Sequence, residues 1–535
     1  MIRSGNPCRI RLMPWVLVSL GVVASGMTAV PAAAEPGQAP GDPVLAWIDQ
    51  TNRAIQETAT DPFQASRDLA LESIAVLDTV RSIASAPCFL VRLPGPRDLN
   101  PTIAAAAAAH TMLLHLFPER QAALDAALEI SLADGPAGAE RDRAIAFGNA
   151  VADAVYARRK DDGWNAKAPA DAHASAEPAP GQWQPTPPGF LPPQVPQWGA
   201  IRPFVLTQPA QFRPAGPPAV GSAAFREATA SVASIGAAQS TERTAEQTEI
   251  ARYWSDPVGS TGPAGHWNAI AAGLIAPSGQ GLEAEAQTFA ELNVAIADAA
   301  IAVADAKYNY RFWRPVTAIR DGAAGAPANP DWLPLLETPN QPSYISEHAS
   351  FGGAAATVLT ASLGERGFSL VSTSLPGVTR SFANFEQAAE EAAAGPEYGG
   401  IHYSFDRVDG LATGRAVGAW TVAAFRHLGH DRGPVIVMDH PVDPGHHKGQ
   451  PLSGFAVDNF SPVKTVSVRV DEGERFNVVV DDKGRFTLPR LHPGRFGQME
   501  AVLVATSATG RAAVARLEFD GVTPGSVVTA PFTVK

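Results

Sequence analysis

Cysteine is almost absent from this chain, with Cys8 and Cys88 the only two in 535 residues. A disulfide framework and a thiolate-ligated metal cluster are therefore excluded, and a metal would need histidine or carboxylate ligands. Net positive charge is also lacking. The formal charge is −12, from 41 basic and 53 acidic residues, which argues against a nucleic-acid or anionic-membrane partner but permits a local cationic pocket. Charged residues make up 18% and hydrophobic ones 45%, the balance of a folded chain rather than a disordered or membrane-embedded one. Beyond the N-terminus no apolar run reaches spanning length. A Walker phosphate loop, a G-x-S-x-G elbow and an H-E-x-x-H motif are all missing, so the chemistry they carry drops out.

Residues 1–34 have the form of a signal peptide. Arg3, Arg9 and Arg11 precede a mostly apolar run from Trp15 to Val30, and Ala32 and Ala34 form an A-x-A cleavage signal before Glu35. This predicts export to the periplasm or the exterior. Cys8 leaves with the leader, so Cys88 has no partner. No integral membrane segment is expected in the mature chain, and homo-oligomerisation is left open.

The mature chain is expected to be mainly α: a helical-bundle domain over residues 35–450, followed by a small β-sandwich module over 451–535. Apolar residues recur at three- and four-residue intervals from Pro43 to about Lys160, from Ala223 to Trp254 and from Leu282 to Trp313. Two further helices are expected, one after Ser350 and one after Asp409. Proline is dense over residues 168–218, which predicts an extended segment whose Trp and Phe residues pack along the helices. After about Pro451 the chain becomes rich in Val and Thr with alternating polarity, and Asp482-Lys483-Gly484 supplies a turn.

Three segments carry chemistry. In Lys307-Tyr-Asn-Tyr-Arg311-Phe-Trp-Arg314-Pro315, positions i, i+4 and i+7 of a continuing helix would set three cations on one face, an arrangement suited to an anion. A solvated basic stripe is the plain alternative, although the helix is otherwise apolar. In Pro342-Ser-Tyr-Ile-Ser346-Glu347-His348, a loop enters an Ala/Gly-rich helix, where Ser346 and free amides offer an oxyanion seat and His348 an acid or base. An ordinary N-cap fits Ser346 equally well. In Tyr398-Gly-Gly-Ile-His402-Tyr-Ser-Phe-Asp406, His402 suits a nucleophile or metal ligand, with Asp406 on its other ring nitrogen. A structural His–Asp pair is again the plain alternative.

Taken together, the segments resemble those of the vanadium-dependent haloperoxidase and type 2 phosphatidic acid phosphatase superfamily, with its pattern K-x6-R-P, P-S-G-H and S-R-x5-H. GHWNAIA (265–271), SFGGAAATVL (350–359) and SLPGVTRSF (374–382) extend the resemblance to bacterial vanadium haloperoxidase-like proteins over roughly residues 40–450. The resemblance implies a helical-bundle fold and a vanadate cofactor. Lys307 and Arg314 would hold vanadate oxygens, Ser346 would donate to them, His348 would be the general acid/base, and His402 would bond to vanadium. Halide, hydrogen peroxide and an organic acceptor would then be the substrates. In the phosphatase branch a phosphomonoester would take vanadate's place and His402 would attack phosphorus.

The chain departs from the pattern at three positions. Ile345 replaces the Pro of P-S-G-H, Glu347 replaces its Gly, and Pro396 stands where the motif Arg precedes His402. Glu347 puts a carboxylate beside an anion site. Pro396 removes a charge-assisted hydrogen bond worth roughly 1.5–3 kcal/mol, for which Arg311 or Arg380 would have to compensate. Three functions follow: a haloperoxidase, an acid phosphatase acting through phospho-His402, or an altered relative without tight anion binding. Gln341 stands where well-known haloperoxidases carry Phe or His. Gly445-His446-His447-Lys448 reads as an exposed linker rather than a metal site. His266-Trp267-Asn268 is expected to open a core helix, and Asp256 to pair with an active-site Arg.

Overall fold

Proline behind a capping side chain starts the first three helices. Asp42 accepts from Val44 N and Leu45 N and opens α1 (Pro43–Thr58); Asp61 opens α2 (Pro62–Ala84); Asn100 opens α3 (Pro101–Leu116). In each, the prolyl nitrogen takes a position that has no helical acceptor, and the cap satisfies a free N–H behind it. The computed structural model describes residues 42–169, 178–322, 328–372, 374–375 and 377–428, and the segments 435–438, 453–457, 463–470, 475–481, 484–488, 498–507 and 512–520. The leader, the Gly445–Lys448 run and Asp482-Lys483 lie outside these residues.

The helices continue as α4 (Gln121–Leu132), α5 (Ala139–Arg159), α6 (Ala223–Ile235), α7 (Ala245–Tyr253), α8 (Gly262–Ile275), α9 (Leu282–Tyr310), α10 (Pro315–Asp321), α11 (Glu347–Leu363), α12 (Phe385–Tyr398) and α13 (Ser404–Leu428). α2 and α9 are buried on nearly every face, which marks them as central helices. They meet where Asn293 Nδ2 donates to Ser73 Oγ at 2.9 Å, and Asn293 also exchanges amide hydrogen bonds with Asn268 of α8. No helix among the described residues is long and apolar enough to cross a membrane.

The described part of the Pro-rich segment runs as loop and short 3-10 turns, with Trp183, Trp198 and Phe212 buried. Its backbone is anchored by one carboxylate: Asp298, in the middle of α9, accepts from Phe204 N, Val205 N and Leu206 N at 2.7, 2.8 and 2.9 Å. Asp78 of α2 holds Phe89, Leu90 and Val91 in the same way. A buried carboxylate with several backbone donors recovers part of what it loses with its water.

Local structure differs from the sequence expectation in four places. α9 ends at Tyr310 instead of reaching Trp313, because Arg311 turns left-handed at φ 50°. The pattern from Ala223 to Trp254 is broken into α6 and α7 by residues 236–244. α12, and the hairpin of β1 (Phe368–Val371) with β2 (Thr379–Phe382), were not expected. α13 begins at Ser404, ahead of Asp409, with Asp406 in its first turn.

C-terminal strands β3 (Val435–Met438), β4 (Ser453–Val457), β5 (Val463–Val470), β6 (Phe476–Val479), β7 (Arg485–Thr487), β8 (Gln498–Ser507) and β9 (Ala512–Asp520) make two antiparallel sheets, ordered β3-β4-β7 and β6-β5-β8-β9. Ile436, Ala456 and Phe486 of the first share an apolar cluster with Val466, Val468 and Leu503 of the second, the face-to-face burial that makes a sandwich. The first strand lies ahead of Pro451, where the composition changes.

Asp298→Ala would leave three backbone N–H groups without their acceptor. It is expected to cost about 3 kcal/mol or more, with Asp298→Asn losing less because one oxygen remains. Denaturant unfolding of the variants checks this.

Candidate oxyanion site

Four chain segments converge on Lys307 and Arg314. Lys307 is in the last turn of α9, and Arg314 is the N-cap of α10, three residues beyond Arg311. Both are fully buried. Lys307 Nζ donates to Pro342 O at 2.8 Å and Ser343 O at 3.1 Å. Arg314 Nε donates to Gln341 O and its Nη1 to Ile401 O, both at 2.8 Å. The two cations thus bind the backbone of residues 341–343 and of the turn before His402. Arg314 Nη2 has no partner, and Lys307 keeps one of its three ammonium protons uncommitted.

His402 faces them. Its Nε2 lies 3.0 Å from Arg314 Nη1 and its Nδ1 2.8 Å from Asp406 Oδ2. A guanidinium only donates and a carboxylate only accepts, so the proton is on Nδ1 and the Nε2 lone pair points at the cations. Ser343 Oγ donates to the same Asp406 oxygen at 2.5 Å. Gly400 makes the approach possible: at φ 79°, a Cβ there would sit 2.3 Å from Gly236 O. Ser346 N donates to Asp406 O at 3.1 Å, which ties the start of α11 to the start of α13. At Gly414 a Cβ would meet Ser350 O at 2.0 Å, so only glycine lets those helices pack this closely.

Burial sets the electrostatics. It depresses the Lys307 ammonium well below its usual range, with Arg314 adding repulsion, and lowers Arg314 to about 10. Burial, then Arg314, Lys307 and His348, hold His402 well below its ordinary value, so it is neutral. Asp406 is raised to about 6 and Glu347 to about 7, again chiefly by burial. Two desolvated cations whose charge is poorly compensated are what a bound anion would relieve. With a spare guanidinium donor on Arg314 and an imidazole lone pair whose one partner is Arg314 Nη1, which an incoming anion would draw away, the donor set fits an oxyanion such as vanadate.

The other expected residues are arranged differently. Ser346 caps α11, its Oγ accepting from Ala349 N at 3.5 Å; a hydroxyl that accepts there still has its proton to donate. His348 Nε2 has no hydrogen-bond partner and lies 3.8 Å from Asp256 Oδ2. Asp256 therefore neighbours a histidine instead of the expected Arg, and its Oδ1 also meets His266 Nδ1 at 3.1 Å and Ser374 Oγ at 3.0 Å. His266 is fully buried within α8. Arg311 leaves the shared helical face because α9 has ended, and its Nε donates to Tyr308 O at 3.3 Å. Arg380 cannot replace the missing motif Arg: its guanidinium is spread over Glu246, Glu249 and Glu391. Pro396 is buried inside the end of α12 and offers its carbonyl to Ile401 N. Sequence reasoning missed Ser343, the role of Gln341 as an acceptor for Arg314, and Asp61, which faces Glu347.

Comparison with known proteins agrees with the motifs. Residues 287–430 match the family described as the VCPO second helical-bundle domain. The chain is 26% identical over 412 residues to the vanadium chloroperoxidase of Curvularia inaequalis, covering 61% of this chain and 66% of that protein, just under two thirds of its length. It is similar to the solved first bacterial vanadium-dependent iodoperoxidase, at 29% identity and a TM-score of 0.63, over 72% of this chain and 97% of that one. A bacterial vanadium-dependent chloroperoxidase in its holo form shares the fold at 17% identity and a TM-score of 0.55, over 69% of this chain and 93% of that one. The resemblance to vanadium haloperoxidases is thereby shown in sequence and fold together.

Asp256 opposes the burial that lowers His348. Asp256→Asn removes that negative charge, so the His348 pKa is expected to fall further. An NMR pH titration of the His348 ring checks the direction.

Proposed function

On the premise of that haloperoxidase-like fold, we propose that the chain is a vanadate-dependent haloperoxidase that oxidises halide with hydrogen peroxide and passes the halogen to an organic acceptor. The supporting observation is the neutral His402, its Nε2 lone pair held toward two buried cations by the Nδ1–Asp406 bond. Vanadate, when bound, supplies a Lewis-acidic centre that activates peroxide. Lys307 and Arg314 would hold its oxygens and neutralise their charge, Ser346 would donate its hydroxyl proton, and His402 would be the ligand to vanadium. His348, neutral and unpartnered at Nε2, would accept a proton from peroxide and return it to the leaving oxygen. Ser343 steadies Asp406, and Asp406 fixes the His402 tautomer. Arg311, turned off the helical face that carries Lys307, is given no role toward vanadate.

The same lone pair also suits phosphoryl transfer to His402, so phosphomonoester hydrolysis is the second reading. The negative net charge of the chain argues against nucleic acid as a partner. Export with cleavage before Glu35 is part of the proposal, and sequencing the N-terminus of secreted protein tests it.

Purified mature chain with orthovanadate is expected to brominate a phenol-red-type acceptor in the presence of peroxide. His402→Ala should lower that activity by at least about a hundredfold. Hydrolysis of a chromogenic phosphomonoester, inhibited by vanadate and without halogenation, would move the assignment to the phosphatase. Silence in both assays, with no vanadate heat in calorimetry, would leave an altered relative. Asp406→Asn should weaken vanadate binding by roughly ten- to a hundredfold, since the amide no longer enforces the Nδ1–H tautomer; unchanged affinity would remove the role given to Asp406.

A further inference from the structure

Glu347 is an acid among donors. It lies in the first turn of α11, 6% exposed, beside the two buried cations. Gln341 links it to them: the Gln341 carbonyl accepts from Arg314 Nε at 2.8 Å while its Nε2 donates to Glu347 Oε2 at 3.3 Å. Gln341 Oε1 is itself buried and without a partner. The site therefore holds unspent acceptors as well as unspent donors. A fully deprotonated anion would satisfy Arg314 Nη2 and Lys307 but press its lone pairs against the Glu347 carboxylate. An anion that keeps one O–H could donate to it.

We propose that Glu347 is the specificity-determining residue of this site, accepting a hydrogen bond from a bound oxyanion that carries a hydroxyl and turning away oxyanions that carry none. This rests on the oxyanion reading above and sharpens its ligand class: vanadate, phosphate or arsenate in hydroxyl-bearing form, against sulfate. The charged groups that face Glu347 are Asp61 from the α2 cap, Lys307 from α9 and Arg314 from the α10 cap. Burial and Asp61 hold Glu347 at about 7 against the pull of the cations, so it accepts above that pH and becomes a donor below it. Asp61 is kept in place by Gln194 Nε2 and Phe63 N, which adds negative potential on the same side.

Calorimetric titration of the full mature chain with orthophosphate and with sodium sulfate at about pH 8 tests the proposal, because phosphate still carries a proton there and sulfate does not. Phosphate is expected to bind at least about tenfold tighter. Glu347→Gln should close most of that gap, since an amide can donate to a bare oxygen. A second measurement needs no variant: sulfate affinity of the native chain should rise as pH falls through about 7. Equal affinity for phosphate and sulfate in the native chain, or a ratio untouched by Glu347→Gln in a variant that unfolds cooperatively, would overturn it. Orthovanadate is titrated alongside. If vanadate binds and no discrimination is seen, this inference alone fails; if none of the three anions binds, the oxyanion reading falls with it.

Discussion

The site depends on the burial of two positive charges. Lys307 and Arg314 have no exposed surface, and an ion taken from water costs several kcal/mol unless its surroundings answer it. Here the answer comes in two parts. Carbonyl oxygens of residues 341–343 and 401 accept the directed hydrogen bonds, and Asp406 and Glu347 supply negative charge. The loop before α11 and the turn before α13 are therefore held at the positions the cations dictate. What remains uncompensated is a guanidinium donor and an ammonium proton, the groups that the proposed anion would meet.

Around that charge the two histidines are set for different tasks. His402 is locked between Arg314 and Asp406, so its tautomer and neutral state are determined by its neighbours. His348 is looser. It keeps some solvent exposure on its side chain and sees Asp256 at 3.8 Å, beyond hydrogen-bond range. A fixed lone pair suits ligation or nucleophilic attack, and a ring with an uncommitted nitrogen suits proton transfer. Asp256 in turn is held by His266 and Ser374, so the residue near His348 belongs to a buried network of its own.

Two of the three departures from the family pattern, Pro396 and Glu347, have unequal structural consequences. Pro396 subtracts: no side-chain donor stands there, and Arg380 is committed to three glutamates. Glu347 adds a group, and the structure accommodates it next to the cations with Gln341 as a hydrogen-bond partner instead of expelling it. The loss of one positive contact and the gain of one acid both make the surroundings of Lys307 and Arg314 less positive.

Much of this was legible along the chain. The mainly α architecture followed from periodicity and the late sheets from alternation, while motif spacing named Lys307, Arg314, Ser346, His348 and His402 as candidates and the i+4 position added Asp406, because covalent spacing is a property of the chain itself. The placement of Arg311 and Arg314 was not legible. Helical periodicity put both on one face with Lys307, yet the left-handed turn at Arg311 ends α9, and Arg314 reaches His402 from the corner that follows. Ser343 and Asp406 are 63 residues apart and Gln194 and Asp61 133 apart, and no local pattern marks such pairs. Sequence alone determined which chemical groups are available and in what order. Tertiary packing alone decided which are stripped of water and which face one another, and those two conditions set their charge.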